Sequence, residues 1–333
     1  MTWDAHPNRA VFNLYAALLA SGYDLTSVEA DDPIAAIIEQ IRSHRWDPES
    51  VSYFREARIE GQGVNPYWPR AAMLLNASFH LRESAAPGFE APDEVINAIT
   101  RFPTEVSHKD AGTLAWIGRF PEMQRRFASD PLLGDLWDHF RGIMNGDRIG
   151  HFQKAGEDAV RMVVEGLNAH IEELPHLVVV PNPLQAPQVA DFVRKKDRLY
   201  AVVAIARPLS IAHELLHSVF EKALARESAL IAGYRHLFTP DVVTAMQRYQ
   251  YAWDSGGESW LRVFEESLVR AATIWIGCKD DTLKACEEAD AESRQGFVYV
   301  PAILKMFEEK WRGPHALKQF IRDCLEMMSH HIR

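Results

Sequence analysis

His213-Glu214-Leu215-Leu216-His217 sets two imidazoles and a carboxylate within five residues. On an α-helix, residues four apart are offset by about 40° and lie roughly 6 Å apart, so His213 and His217 can reach one metal ion from the same face. Glu214 stands one step round the helix from His213. That is too far round for an easy third ligand, and well placed to take a proton from a water held on the metal. Two metal ligands and a general base drawn from little more than one turn are what zinc-assisted hydrolysis requires.

The flanks bear on whether the motif is incidental. Ile211, Ala212, Leu215, Leu216, Val219 and Phe220 carry no charge, whereas a solvated helix would place Lys, Glu or Arg at some of these positions. The helix is therefore expected to be buried, and two imidazoles and a carboxylate buried without a partner or an ion would be costly. Pro208 followed by Ser210 reads as a stop and then an N-cap. A zinc site also needs a third protein ligand. After the polar loop that ends at Gly256-Gly257, residues Glu258 to Ile276 read as a helix with an apolar face at Trp260, Val263, Phe264, Leu268, Ala271, Ile274 and Trp275. Glu265 and Glu266 lie in its middle, where carboxylates need a partner, and a metal is the partner already implied. Leu261, Glu265, Leu268 and Ala272 form a continuous stripe, so periodicity alone leaves both carboxylates open as the ligand. The fourth coordination position falls to water.

At these residues the chain resembles the gluzincin metallopeptidases, in which H-E-x-x-H is completed by a Glu on a following helix. Phe264-Glu265-Glu266-Ser267-Leu268-Val269-Arg270-Ala271 is similar to the second-helix motif of a little-characterised bacterial group of gluzincin-like proteins, where a Glu stands two residues before Leu-Val-Arg-Ala. That match implies Glu266 as the ligand and Glu265 as its neighbour, with Arg270, one turn on, paired to either carboxylate. Gly296-Phe297-Val298-Tyr299 and the helical tail also look like that group, and Tyr299 is a candidate hydrogen-bond donor to a developing oxyanion. The resemblance runs from His176 to the end. It implies Zn²⁺ held by His213, His217 and Glu266, catalysis by Glu214, and a peptide or protein as substrate.

Composition bounds the rest. At 333 residues, 47% hydrophobic and 10% aromatic, the chain is long and apolar enough for one large packed domain or two. A net charge of −10 with no Lys/Arg-rich stripe argues against nucleic acid or an anionic membrane as partner. Cys278, Cys286 and Cys324 are odd in number and form no C-x-x-C pair, which suits a reducing, cytoplasmic setting better than a disulfide framework. Val11 to Ala20 is apolar, but Asp4 and the single basic residue before it, Arg9, favour an amphipathic first helix over a signal peptide. No stretch approaches the ~20 apolar residues of a membrane span. Oligomeric state is not readable.

The elements that must position the motif read as follows. Arg9–Ser21, Asp32–Ser43, Pro66–Arg82, Asp93–Arg101, Ala111–Phe127 and Leu132–Met144 show helical apolar spacing, broken at Gly61-Gln62-Gly63, Ala85-Ala86-Pro87-Gly88 and Phe102-Pro103, and His151–Glu172 reads as a long connecting helix. His176–Val180 and Leu199–Ala206 then read as strands. The resemblance gives the second of them the part of an edge strand beside the metal, able to hold an extended peptide. The expected fold is α+β and predominantly helical: a helical bundle region over 1–170, then a zincin-like catalytic half with a small sheet over 171–333. The expected function is a zinc-dependent metallohydrolase, a metallopeptidase. Two other classes compete. One is a noncatalytic zinc-stabilised peptide-binding protein, against which the retained Glu214 argues. The other is a di-iron carboxylate protein built on Glu214-x-x-His217 and Glu173-x-x-His176, the second copy weakened as a helical pair by Pro175.

Overall fold

The computed structural model describes residues 3–60, 65–82, 86–99, 111–169, 174–249, 251–252, 257–279 and 281–331. In chain order these form β1 (Trp3–Ala5), α1 (Arg9–Ala20), α2 (Pro33–Ser43), α3 (Pro48–Arg55), α4 (Arg70–Ser78), α5 (Pro92–Ile99), α6 (Ala111–Ala128), α7 (Pro131–Ile143) and α8 (Gly146–Leu167). Three strands follow, β2 (His176–Pro181), β3 (Ala190–Lys195) and β4 (Arg198–Val203). The remainder is helical: α9 (Pro208–Arg226), α10 (Ser228–Gly233), α11 (Pro240–Gln247), α12 (Gly257–Gly277), α13 (Thr282–Arg294), α14 (Val300–Lys310) and α15 (Leu317–His331). The fold is α+β, mostly helical, with one small mixed sheet. Among the described residues no helix is long and apolar enough to cross a membrane.

Packing divides the chain into two bodies that do not follow its linear order. One takes Trp3 to Lys154 together with Leu177 to Arg207; the other takes Ala155 to His176 together with Pro208 onward.

In the first body α1 is buried from Val11 to Leu19 apart from Asn13, and its start is set by the Asn8 side chain, which accepts from the Val11 N–H at 3.1 Å. Asp32-Pro33, Asp47-Pro48 and Asp130-Pro131 open α2, α3 and α7 the same way: the Asp caps the first free N–H groups, and Pro enters at the first helical position where its missing N–H costs nothing. The spacing missed α3, although Asp47-Pro48 carries that signature. Pro66–Arg82, expected as one helix, is helical only over α4, because Pro69 disfavours helical backbone in the residue before it. The breaks expected at Gly61-Gln62-Gly63 and Phe102-Pro103, and Ala85, Arg101, Glu172, Glu173 and Gly256, lie outside the described residues.

The sheet has strand order β1-β2-β4-β3, with β1 parallel to β2 and β3 antiparallel to β4. This corrects the expectation for Leu199–Ala206. That run forms β4, which is paired on both sides, so the sheet's edges are β1 and β3 and its main-chain groups are already used. The β3–β4 hairpin turns through Lys196-Asp197, with Lys196 at φ 57°, where turns of this kind favour Asn-Gly.

The second body is built around α12, whose Trp260, Val263, Phe264, Leu268, Val269, Ala271 and Ala272 are at most 1% exposed. It packs against α9, α14, α13 and α10. The Trp275 indole donates to the Gly166 carbonyl of α8 at 3.2 Å, and a Cβ on Gly166 would come within 2.4 Å of Ile276 Cγ2. Glycine is therefore what lets α8 and α12 approach so closely.

One half-buried carboxyl in the first body gives a stability prediction. The Asp191 carboxyl of β3 accepts from the Tyr15 hydroxyl of α1, and burial pushes its pKa up from 3.8 to about 6. The folded state thus binds more protons than the unfolded chain between about pH 4 and 6, so this contribution is present below the unfolded value and is lost as pH rises through the folded one. Asp191→Asn should gain stability over the parent protein as pH rises across that window, measured by urea unfolding at pH 4 to 8. A difference that is flat or grows in the opposite direction would refute the assignment.

Candidate metal centre

α9 begins at Pro208, whose fixed φ suits the first helical position, so Ser210 lies inside the first turn and is not the N-cap expected from the sequence. The apolar flank is buried as expected at Ile211, Ala212, Leu215, Leu216 and Phe220, all fully shielded, whereas Val219 is only half-buried. His213 meets Thr273 and Glu266, while His217 meets Glu265 and Glu266, so α9 and α12 run antiparallel.

Glu266 lies between the two imidazoles. Its Oε1 is 3.6 Å from His213 Nε2 and its Oε2 is 3.5 Å from His217 Nε2. One ligand atom from each of His213, His217 and Glu266 falls within 4.8 Å of the other two. The other face of each ring is held. His213 Nδ1 is 3.1 Å from Thr273 Oγ1, and that hydroxyl donates to the Val269 carbonyl at 2.8 Å, so toward the ring it can only accept. Nδ1 therefore carries the proton and Nε2 presents its lone pair. His217 Nδ1 donates to Glu265 Oε1 at 3.0 Å, with the same result at its Nε2. The two glutamates left open by spacing thus divide the work: Glu266 faces the imidazole lone pairs, and Glu265, 100° round the helix, orients a ring from behind.

Electrostatics separates these groups. Burial drives the His213 pKa down to about 3, so the ring is neutral. Burial also presses on His217, but the hydrogen bond and charge of Glu265, with Glu266 and Glu214, outweigh it and lift its pKa. Burial opposes ionisation of Glu266; Arg270 and the two imidazoles outweigh it and hold the carboxyl near 2. Arg270 Nε donates to Glu266 Oε1 at 2.8 Å and Nη1 to Glu292 at 2.7 Å, while the guanidinium lies 4.0 Å over the Phe297 ring. Phe297 is placed by Gly296, at φ 109°, where a Cβ would meet Ala245 and Met246 within 2.7 Å. Arg262 Nη1 donates to Glu265 Oε2 at 3.1 Å.

Glu214 is buried within electrostatic reach of His217 and is not part of the three-ligand group. Tyr299 is elsewhere. Its hydroxyl donates to the Leu237 carbonyl in the core and its ring lies against Trp260, six residues before Glu266 on α12. The phenol at the cluster is Tyr251, which meets Arg270, stands within the field of Glu266, and is held protonated by burial and that charge. Sequence reasoning missed Tyr251, which lies beyond the end of α11 where no periodicity points to it. Thr273 was legible in principle, seven residues after Glu266 and hence on the same helix face. Of the di-iron pattern, Glu173 lies outside the described residues and His176 opens β2 instead of continuing a helix.

The donors fit a small divalent ion. Tetrahedral bonds of about 2.0–2.1 Å set neighbouring ligand atoms roughly 3.4 Å apart. His213 Nε2 is 3.6 Å from Glu266 Oε1 and His217 Nε2 is 3.5 Å from Oε2, each on its own oxygen, and single ligand atoms of the three residues lie within 4.8 Å of one another. The carboxylates of Glu265, Glu266 and Glu292 meet the guanidiniums of Arg262 and Arg270, so the cluster is held by paired buried charges. The chain matches no family model, no curated protein and no solved structure.

His213→Ala, His217→Ala and Glu266→Ala should each abolish stoichiometric binding of a divalent metal ion, whereas Glu265→Ala should weaken it by about 10–100-fold, as loss of an orienting partner does. Metal analysis of the purified variants after dialysis checks this. Retained metal in Glu266→Ala, with loss in Glu265→Ala, would reverse the two roles.

Proposed function

We propose that this protein is a zinc-dependent metallohydrolase of gluzincin type, with a zincin-like site, that cleaves peptide bonds in a peptide or protein. The reading rests on two imidazole Nε2 atoms aimed at one buried carboxylate, with Glu214 beside them. Bound to His213, His217 and Glu266, zinc would supply Lewis acidity, polarising the scissile carbonyl and bringing the pKa of a water down toward about 7.

The chain's own groups do the rest. Glu214 accepts the proton of the attacking water and returns it to the leaving amine, so one carboxylate serves as base and then as acid. Leu215 and Leu216, on its own helix, are fully buried and keep that stretch of α9 packed, which fixes the carboxylate's position. Glu265 and Thr273 lock both rings with Nε2 forward. Arg270 and Arg262 keep the paired glutamates ionised in a buried place where either would otherwise take up a proton. Tyr251, protonated and next to Arg270, takes the oxyanion-donor part that the resemblance gave to Tyr299.

Glu214→Gln should keep its zinc and its fold and lose hydrolysis by at least about 10²-fold, because the amide is nearly isosteric and cannot accept a proton. A proteome-derived peptide library with mass-spectrometric readout supplies the assay. Activity within about tenfold of the parent would sink the mechanism. Tyr251→Phe should keep zinc and lower kcat by roughly 10²-fold with little change in KM. An unchanged kcat would remove Tyr251 from the site.

A further inference from the structure

Tyr251 is fixed at the cluster from three sides. Its N–H donates to the Met246 carbonyl at the end of α11 at 3.0 Å, its ring stands edge-on to Phe297 with centroids 5.4 Å apart and planes at 73°, and its hydroxyl meets the Arg270 guanidinium. A guanidinium only donates, so the Tyr251 oxygen accepts from Arg270 and its own O–H is turned to another acceptor. Toward Arg270 the phenol can only accept; toward a substrate carbonyl oxygen it can donate.

Arg270 thus serves two segments at once. Glu266 stands one turn before it on the same helix, so that contact needs nothing outside α12. Tyr251 comes from beyond the end of α11, and reaching it depends on where the guanidinium is aimed. Glu292 and Phe297 set that aim. The Glu292 carboxylate takes Nη1 at 2.7 Å, which fixes the direction of the fork, and the Phe297 ring lies 4.0 Å from the guanidinium carbon, which supports its face. The two act as one unit, because the Phe297 N–H donates to the Glu292 carbonyl at 3.1 Å across the turn that Gly296 makes at φ 109°. Phe297 also touches the phenol ring, so the same side chain bears on both partners of the Arg270–Tyr251 contact.

We propose that Glu292 and Phe297 are positioning residues for Tyr251: they hold Arg270 so that one guanidinium grips Glu266 and the phenol together and leaves the Tyr251 O–H to the reacting oxygen. The proposal rests on the metallohydrolase reading for the reaction, and its test is a binding measurement that needs no cleavage. The probe is inorganic phosphate, a tetrahedral anion of the shape that a hydrated carbonyl takes, and its Kd on the zinc-loaded protein is measured by calorimetry. Tyr251→Phe removes the donor and should weaken phosphate about tenfold. Glu292→Ala should weaken it about fivefold with Tyr251 present and by less than about twofold in the Tyr251→Phe background, since both changes break one and the same interaction. Phe297→Leu, which keeps an apolar side chain in the core, should follow Glu292→Ala in both backgrounds. Zinc content should stay at the parent's level in Glu292→Ala, because Arg270 holds Glu266 from within α12. Additive losses, a Kd unchanged by Glu292→Ala, zinc lost from that variant, or no phosphate binding to the zinc-loaded parent would overturn the positioning role. Cleavage of the peptide library by the parent is scored separately. Coupled losses of phosphate binding without cleavage keep the positioning role and remove the hydrolase, whereas cleavage with additive losses does the reverse.

Discussion

The site depends on keeping Glu266 ionised where it is only 3% exposed. An isolated buried carboxylate would take up a proton, at which point it could no longer offer an ion a negative charge. Arg270 prevents this with a hydrogen bond from the next turn of the same helix, and it is itself held by Glu292 of α13 and the face of Phe297. Removing one partner of such a buried pair typically costs about 3–5 kcal/mol, comparable to a large part of a domain's net stability. The surrounding helices therefore serve the electrostatics as much as the packing.

That dependence explains several features away from the ligands. Gly296 has no Cβ, which allows the chain to leave α13 against Ala245 and Met246 and bring Phe297 under Arg270. Gly166 lets α8 lie close against α12, whose Trp275 then closes a hydrogen bond onto it. Both glycines hold α12 in place, and α12 carries Glu265, Glu266, Arg262, Arg270 and Thr273. Five of the groups that define the cluster thus move as one rigid element, and α9 supplies His213, Glu214 and His217.

A metal ligand's partner behind the ring decides more than its rotamer. The Thr273 hydroxyl is committed to Val269, so the chain itself selects the His213 tautomer before any ion arrives. At His217 the partner is a carboxylate, which raises the basicity of the ring and makes its proton harder to displace. The two imidazoles are therefore unequal, and the partner that most raises His217 is Glu265 of α12.

H-E-x-x-H and its uncharged flanks pointed, without any coordinates, to a buried α9 on which two imidazoles share a face and a carboxylate stands one step round from them, because helix geometry is local and periodic. The same periodicity placed α12 to within a residue at each end. It could not choose between Glu265 and Glu266, since neighbouring residues on a helix differ by 100° and either stripe looks continuous until the facing helix is known. The antiparallel packing of α9 on α12 made that choice. Tertiary structure also decided what no local pattern records: Tyr251 at the cluster and Tyr299 in the core, the pairing of β1 with β2 across more than 170 residues, and β4 as an interior strand. Each of these depends on which distant segments come together, and single-chain spacing carries no information about that.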